Sequence, residues 1–129
     1  MKDAPISDFM TASPHTVGAE QTISFALDLM GEHGFRHLPV LHGGELVGVV
    51  SDRDLGLIAG LDDIDPAETK VEEAITQVPY RTTGDAKLSA VLAEMEANKY
   101  GSALVVDGNH VTGIFTTHDA VSLLAKALG

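Results

Sequence analysis

The feature that most constrains this chain is that it repeats itself. Shifted by 65 residues, the sequence falls on its own second half without a gap, from PISDFMTASPHTV over KVEEAITQVPYRT to the C-terminus. The identical pairs are Pro14/Pro79, Ser24/Ser89, Leu27/Leu92, Met30/Met95, Val40/Val105, Gly43/Gly108, Gly48/Gly113 and Asp54/Asp119. Several are glycines, prolines or helix-spaced apolar residues, positions at which backbone geometry or core packing restricts the choice. Each copy has only about 60 residues, too few for a comfortable core of its own. The two are therefore expected to pack face to face about a pseudo-twofold axis.

Both copies spell out the same order of elements. A short helical turn (Ile6 to Met10; Val71 to Thr76) leads through Pro14 or Pro79 to a brief extended piece at Thr16-Val17 or Arg81-Thr82. A longer helix follows, with Ile23, Leu27 and Met30 in one copy and Leu88, Val91, Leu92 and Met95 in the other at the spacing of one buried helical face. Gly34 marks the end of the first of these helices. Next come paired apolar runs, HLPVL with ELVGVV and SALVV with HVTGIF, joined by His42-Gly43-Gly44 and Asp107-Gly108-Asn109. Glycine at such junctions supplies the positive φ of a tight antiparallel hairpin. A final helix closes each copy, the second carrying Val121, Leu124, Ala125 and Leu128 on one face. The expected class is α+β, of α/β-like character, built from two β-α-β-β-α repeats. Residues 5–61 form the first, 70–129 the second, and 62–69 an acidic, solvated connector containing Pro66, all within a single module spanning 1–129.

Composition narrows the function classes. Nineteen Asp and Glu against eight Lys and Arg give a net charge of −11, which disfavours non-specific attraction to nucleic acid or to an anionic membrane. Without cysteine there is no disulfide framework, thiolate metal site or cysteine nucleophile. MKDAPISDFM holds no apolar run long enough for a signal peptide, and no stretch approaches the ~20 apolar residues of a membrane span. A cytoplasmic location is expected.

The chemistry concentrates where the copies agree. Gly48-Val-Val-Ser51-Asp-Arg-Asp54 lies over Gly113-Ile-Phe-Thr116-Thr-His-Asp119, so Gly, a hydroxyl three residues on and Asp three further recur at the same strand-to-helix junction. One reading is a capping box, in which the hydroxyl satisfies an orphan N–H and the acid reaches back to the cap; Thr69-Lys-Val-Glu72 has the same form. Three features point to a ligand instead. Asp is shorter than the Glu or Gln that closes the reciprocal bond more readily, which leaves a carboxylate for two ribose hydroxyls. The helix N-terminus offers aimed N–H groups and partial positive charge to a phosphate. Arg53 or His118 sits just before each Asp.

RHLPVLHGGELVGVVSDRDL, with its ungapped second copy SALVVDGNHVTGIFTTHDA, resembles the tandem cystathionine-β-synthase-type (CBS) pair, or Bateman module, over roughly Pro5 to Leu128. The resemblance implies a disc with one cleft per repeat, where the motif Asp holds ribose and the motif hydroxyl and nearby basic groups meet phosphate. Carried over, it places Asp54 on ribose, Ser51 and Arg53 on phosphate, and Thr16, Val17, His37, Leu38 and Pro39 around the base, with Arg36 beside them. The second cleft would use Asp119, Thr116 and His118, with Arg81, Thr82, Ser102, Ala103 and Leu104 around the base. This copy departs from the first in having Leu104 for Pro39, His118 for Arg53 and Gly101 for Arg36. It should hold an anion less firmly at neutral pH, so the first cleft ranks as the better site.

Other constellations carry less. His33 and His37 are separated by Gly34 and the start of a strand and so do not form a helical ligand pair, and His15, His42 and His110 are expected in loops. No metal site and no catalytic residue is expected: a Gly-x-Ser-x-Gly elbow and a Walker-type loop are both missing from the sequence. The function expected is a non-enzymatic, ligand-sensing regulatory module that requires no cofactor. It would bind an adenine nucleotide (AMP, ADP or ATP) or related adenosyl ligand between its repeats. With no second domain in these 129 residues, it would act in trans on an effector protein as a homodimer built through helices. The alternative is a structural dimerisation or adaptor module whose clefts are vestigial and whose Ser/Thr-x-x-Asp triplets only cap helices.

Overall fold

The computed structural model describes residues 2–75 and 78–129. Its elements in chain order are β1 (Thr11–Ala12), β2 (Val17–Gly18), α1 (Ile23–His33), β3 (His37–His42), β4 (Glu45–Ser51), α2 (Asp52–Ala59), β5 (Arg81–Thr82), α3 (Leu88–Asn98), β6 (Ser102–Asp107), β7 (His110–Thr116) and α4 (Thr117–Leu128), with 3₁₀ turns at Ile6–Asp8 and Val71–Ala74. The described residues thus have the mixed α+β composition expected, four helices and two sheets. They fall into two compact units that do not follow the sequence copies. One, His15–Val78, is continuous; the other is split, joining Met1–Pro14 to Pro79–Gly129.

In the continuous unit the sheet order is β2-β3-β4, with β2 parallel to β3 and β3 antiparallel to β4. Gly43 and Gly44 turn the hairpin at φ 58° and 83°, values that side chains on Cβ disfavour. Thr22 caps α1, accepting from the Phe25 N–H at 3.1 Å, and Gly34 ends it at φ 75° as the sequence leads one to expect. Val17, Ile23, Met30, Leu38, Val40, Val50 and Leu55 form the core beneath, joined by Val71 and Ala74. The connector is less free than its composition suggests. Asp62, Asp63 and Asp65 are exposed, but Ser24 and Ile23 N–H groups bond to the carbonyls of Pro66 and Thr69 at 3.0 and 2.9 Å. Thr69 does not open a capping box; its hydroxyl donates to the Asp65 carbonyl at 2.9 Å.

The split unit has the order β1-β7-β6-β5. Its N-terminal strap is bound along its length: Asp3 accepts from the Ser89 N–H, the Leu88 N–H reaches the Ala4 carbonyl at 2.9 Å, and β1 pairs with β7 through Thr11↔Ile114 and Ala12↔Gly113. Ile6 is fully buried with Leu88, Val91, Met95, Ala103, Val105 and Phe115. The turn that opens the first sequence copy therefore belongs to the core of the second, and Val71–Ala74, which opens the second, belongs to the core of the first. The motif glycines show how. A Cβ on Gly48 would lie 2.8 Å from Ile75, and one on Gly113 would overlap Met10, so each glycine admits the residue that follows the incoming turn.

Three local expectations change. The first turn stops at Asp8 and the second at Ala74, Thr76 lying outside the described residues. His42 and His110 stand at the ends of β3 and β7 and not in loops. The apolar face of α4 is not a core face: Val121, Leu124 and Leu128 are 65%, 60% and 81% exposed, and no residue of α4 is buried. Ala120 and Leu123 make its contact with the core.

Candidate functional site

Both copies of the motif build the same backbone junction. Ser51 caps α2 from an extended conformation (φ −105°, ψ 161°), and its hydroxyl accepts from the Asp54 N–H at 3.0 Å. Thr116 caps α4 likewise and accepts from the Asp119 N–H at 3.2 Å. The following residue is tied to the neighbouring strand entrance in each: Asp52 N–H to the Arg36 carbonyl at 3.0 Å, Thr117 N–H to the Gly101 carbonyl at 3.1 Å. Strand register sets His37 opposite Ser51 and Ser102 opposite Thr116. The capping reading of the hydroxyls is correct in both copies.

The carboxylates differ. Asp119 reaches back and accepts from the Thr116 N–H at 2.8 Å, which closes the capping box. Asp54 makes no such bond, and its carboxylate has no hydrogen-bond or ion-pair partner among the described residues. The expectation that Asp, shorter than Glu or Gln, leaves its carboxylate out of the box therefore holds for Asp54 and fails for Asp119. Asp54 is half-buried, beside N–H groups at the helix start that favour an anion there.

The structure brings Arg36, His37, Ser51, Arg53 and Asp54 to one end of the β3–β4 hairpin. Arg36 and Arg53 are exposed and His37 half-buried. The split unit brings Ser102, Thr116, His118 and Asp119 to the corresponding end of β6–β7, with His118 exposed. It has Gly101 in place of Arg36, so at the hairpin ends two guanidiniums stand against one imidazole, the split unit's own arginine, Arg81, lying on β5. The residues expected around a base are placed less directly. Val17 pairs with Val40, midway along β3, with half-buried Thr16 just before it; Arg81, exposed, pairs with Leu104, and Thr82 is half-buried. The side chains of Val17, Leu38 and Ala103 are 1%, 0% and 0% exposed and serve the cores, as does buried Pro39. Such residues would meet a ligand through their backbone.

Two features escaped the residue-by-residue reading. His15 stacks on Phe35 at 5.2 Å, and at the same positions 65 residues on, Tyr80 stacks on Tyr100 at 5.0 Å. Burial, then the charge of Glu94, pushes the Tyr80 phenol up, with a hydrogen bond to Thr82 opposing. The second feature is an open groove of about 350 Å³ in the split unit, lined by Leu92, Met95, Tyr100, Gly101, Thr117 and Ala120 among others. In the continuous unit Leu55 and Arg36 stand where the groove has Ala120 and Gly101, and Leu55 is fully buried. The offset alignment held the signal for both, in aromatic-for-aromatic and large-for-small pairs that identity does not register. No group of three or more potential metal ligands occurs among the described residues, nor a helix long and apolar enough to cross a membrane.

Comparison with known proteins returns one family. The model for the CBS domain matches twice, over residues 6–55 and 71–126. A homoserine O-acetyltransferase of Methanocorpusculum labreanum is 35% identical over 115 residues, which cover 87% of this chain but 22% of that protein. An uncharacterised protein of Methanocaldococcus jannaschii, 31% identical over 117 residues, is matched over 42% of its length. The CBS domain-containing protein YhcV of Bacillus subtilis is 31% identical over 118 residues, 88% of this chain and 81% of its own. Among solved structures, a putative acetoin utilization protein from Vibrio cholerae superposes with a TM-score of 0.83 at 29% identity, covering 96% of this chain and 92% of that one. The CBS domain of a bacterial CNNM/CorC family Mg2+ transporter, solved in complex with ATP, does so at 0.78 and 26% identity, covering 92% and 85%.

Proposed function

The chain belongs to the CBS-domain family, with two copies in tandem, and from that premise we propose that it is a non-enzymatic regulatory module binding an adenine nucleotide or related adenosyl ligand at the Ser51–Asp54 junction. The observation that carries this reading is the Asp54 carboxylate, half-buried and without a partner among the described residues, next to a helix start and the exposed Arg53 and Arg36. A carboxylate accepts from two vicinal hydroxyls, and guanidiniums with helix N–H groups receive phosphate, so a ribose phosphate satisfies both ends. The ATP complex of the transporter's CBS domain supports the ligand class. Ligand binding would favour one arrangement of the chain over another and so alter contact with an effector protein in trans.

Assembly through helices accompanies this reading. Val121, Leu124 and Leu128 form an exposed apolar stripe on α4 that a second copy would cover. Light scattering should report a dimer that Leu124→Asp converts to monomer.

A thermal-shift panel of AMP, ADP, ATP, NAD(H) and S-adenosylmethionine tests the ligand. At least one should stabilise the protein, and Asp54→Ala should remove the effect. No stabilisation by any of them, or stabilisation that survives Asp54→Ala with Asp119→Ala, would end the nucleotide reading. The closed Thr116–Asp119 box favours the adaptor alternative for the split unit, where the triplet has a complete structural role without a ligand.

A further inference from the structure

The exposed faces of the closing helices α2 and α4 differ in a patterned way. On α4 the large exposed residues include Val121 and Leu124, and 65 residues earlier, on α2, stand Gly56 and Ala59. On α2 the large exposed residue is Leu57, and its counterpart on α4 is Ser122. Each large apolar side chain on one helix thus has a small residue at the same place on the other. The space over Gly56 is open, since a Cβ there would meet nothing within 4 Å.

This pattern distinguishes two ways in which a second copy can cover these faces. Where two identical helices cross at a twofold axis, the residue nearest the axis meets its own copy. Packing α4 on α4 about Val121 sets valine against valine, and packing α2 on α2 about Gly56 sets glycine against glycine and leaves a void. Packing α4 of one copy on α2 of another instead sets Val121 into the open space over Gly56. In antiparallel helices centred on that pair, the residue after Gly56 faces the residue before Val121. Leu57 therefore comes over Ala120, which lines the open groove.

Charge agrees with size. In the same register Asp52, the exposed acid that opens α2, faces Ala125 and lies beside Lys126, the cation of the last turn of α4. With α4 on α4 about Val121, Lys126 faces Thr116 and Thr117, neither of them an acid. Only the mixed contact joins a large residue to a small one and a cation to an anion.

We propose that the chain pairs crosswise, α4 of each copy lying antiparallel on α2 of the other with Val121 opposite Gly56. The proposal rests on the assembly through helices described above and adds which helix meets which. Two copies make the contact twice, which closes the assembly at a dimer.

Because the chain has no cysteine, engineered cysteines report this contact without background. Under mild oxidation, Gly56→Cys with Val121→Cys in one chain should give a covalent dimer on a non-reducing gel, as should the two single variants refolded together. Either single variant alone should cross-link at least roughly tenfold more slowly. Leu57→Cys with Ala120→Cys, which keeps Val121 and Gly56, guards against a first pair that weakens folding or assembly. Rapid cross-linking of Val121→Cys or Gly56→Cys alone would overturn the crosswise contact and leave a dimer standing. A parent dimer by light scattering, with neither cysteine pair cross-linking, would overturn it equally. A ladder of species larger than the dimer would overturn the closed exchange, and a monomeric parent would overturn both this contact and the assembly on which it rests.

Discussion

The two helix starts, Ser51–Asp54 and Thr116–Asp119, share a motif, a cap and a backbone junction, yet one carboxylate is open and the other closed. The comparison teaches that a duplicated sequence pattern need not mean a duplicated role. Capping consumes the hydroxyl in both copies, but the acid closes the box in one and makes no bond among the described residues in the other. Around them the differences run in the same direction. At the hairpin end the continuous unit keeps two exposed arginines, with a cluster of two imidazoles and a phenyl ring beside them in sequence, where the split unit has Gly101, His118 and two tyrosines.

The strongest way to break the comparison is at the position that Leu55 fills in one unit and that Ala120, lining the groove, holds in the other. Leu55→Ala empties a fully buried position and should cost about 2–5 kcal/mol by urea unfolding. Ala120→Leu, at the equivalent place beside open space, should change stability by no more than about 1 kcal/mol in either direction. If both substitutions cost alike, the two units are packed alike and the groove is not a real difference.

The motif glycines come next. Gly48→Ala meets the branched side chain of Ile75, which has few ways to yield, and should cost about 1–3 kcal/mol. Gly113→Ala meets the unbranched Met10 and should cost less than Gly48→Ala, because a thioether chain can re-route. The reverse order in chemical denaturation would refute this account of the glycines.

The acids sharpen the comparison most directly. Asp119→Ala removes a capping-box bond and should destabilise the ligand-free protein by about 0.5–1.5 kcal/mol. Asp54→Ala removes no bond among the described residues and should stay within about 0.5 kcal/mol, while abolishing the ligand-induced thermal shift. Equal losses of stability without ligand would make both acids caps.

The smallest effect concerns the strap of the split unit. Hydrogen bonds from Ser89, side chain first and then backbone, hold the Asp3 carboxyl below its ordinary range. A depressed folded value stabilises the protein above the ordinary carboxylate range, and that contribution is lost as pH falls through it to the lower folded value. Asp3→Asn should therefore flatten the acid limb of the stability profile slightly. The Asp3 carboxyl is fully exposed, so the change is small, and a profile that steepens would contradict the sign.

Much of this was legible in the chain. The offset of 65 predicted the elements of both copies, Gly34 the end of α1, Gly43 the hairpin and Ser51 and Thr116 the caps, because these depend on local geometry and on the periodicity of apolar residues. The pairing of β1 with β7 was not legible: two residues of strand carry no periodicity, and their partner lies in the other copy. Nor did the exposure of the α4 face follow from its pattern, since an apolar stripe says that something should cover it and not what.

By itself, then, the sequence determined a duplicated α+β chain with a hydroxyl and an acid at each strand-to-helix junction, since spacing and residue type are enough for local hydrogen bonds and for helical and strand periods. Only the tertiary structure decided which turn enters which core, that Asp54 stays open while Asp119 closes, and that His15, His33 and Phe35 meet. Those outcomes depend on which side chains share a place in space, and residues far apart in the chain compete for that place in ways that no local pattern records.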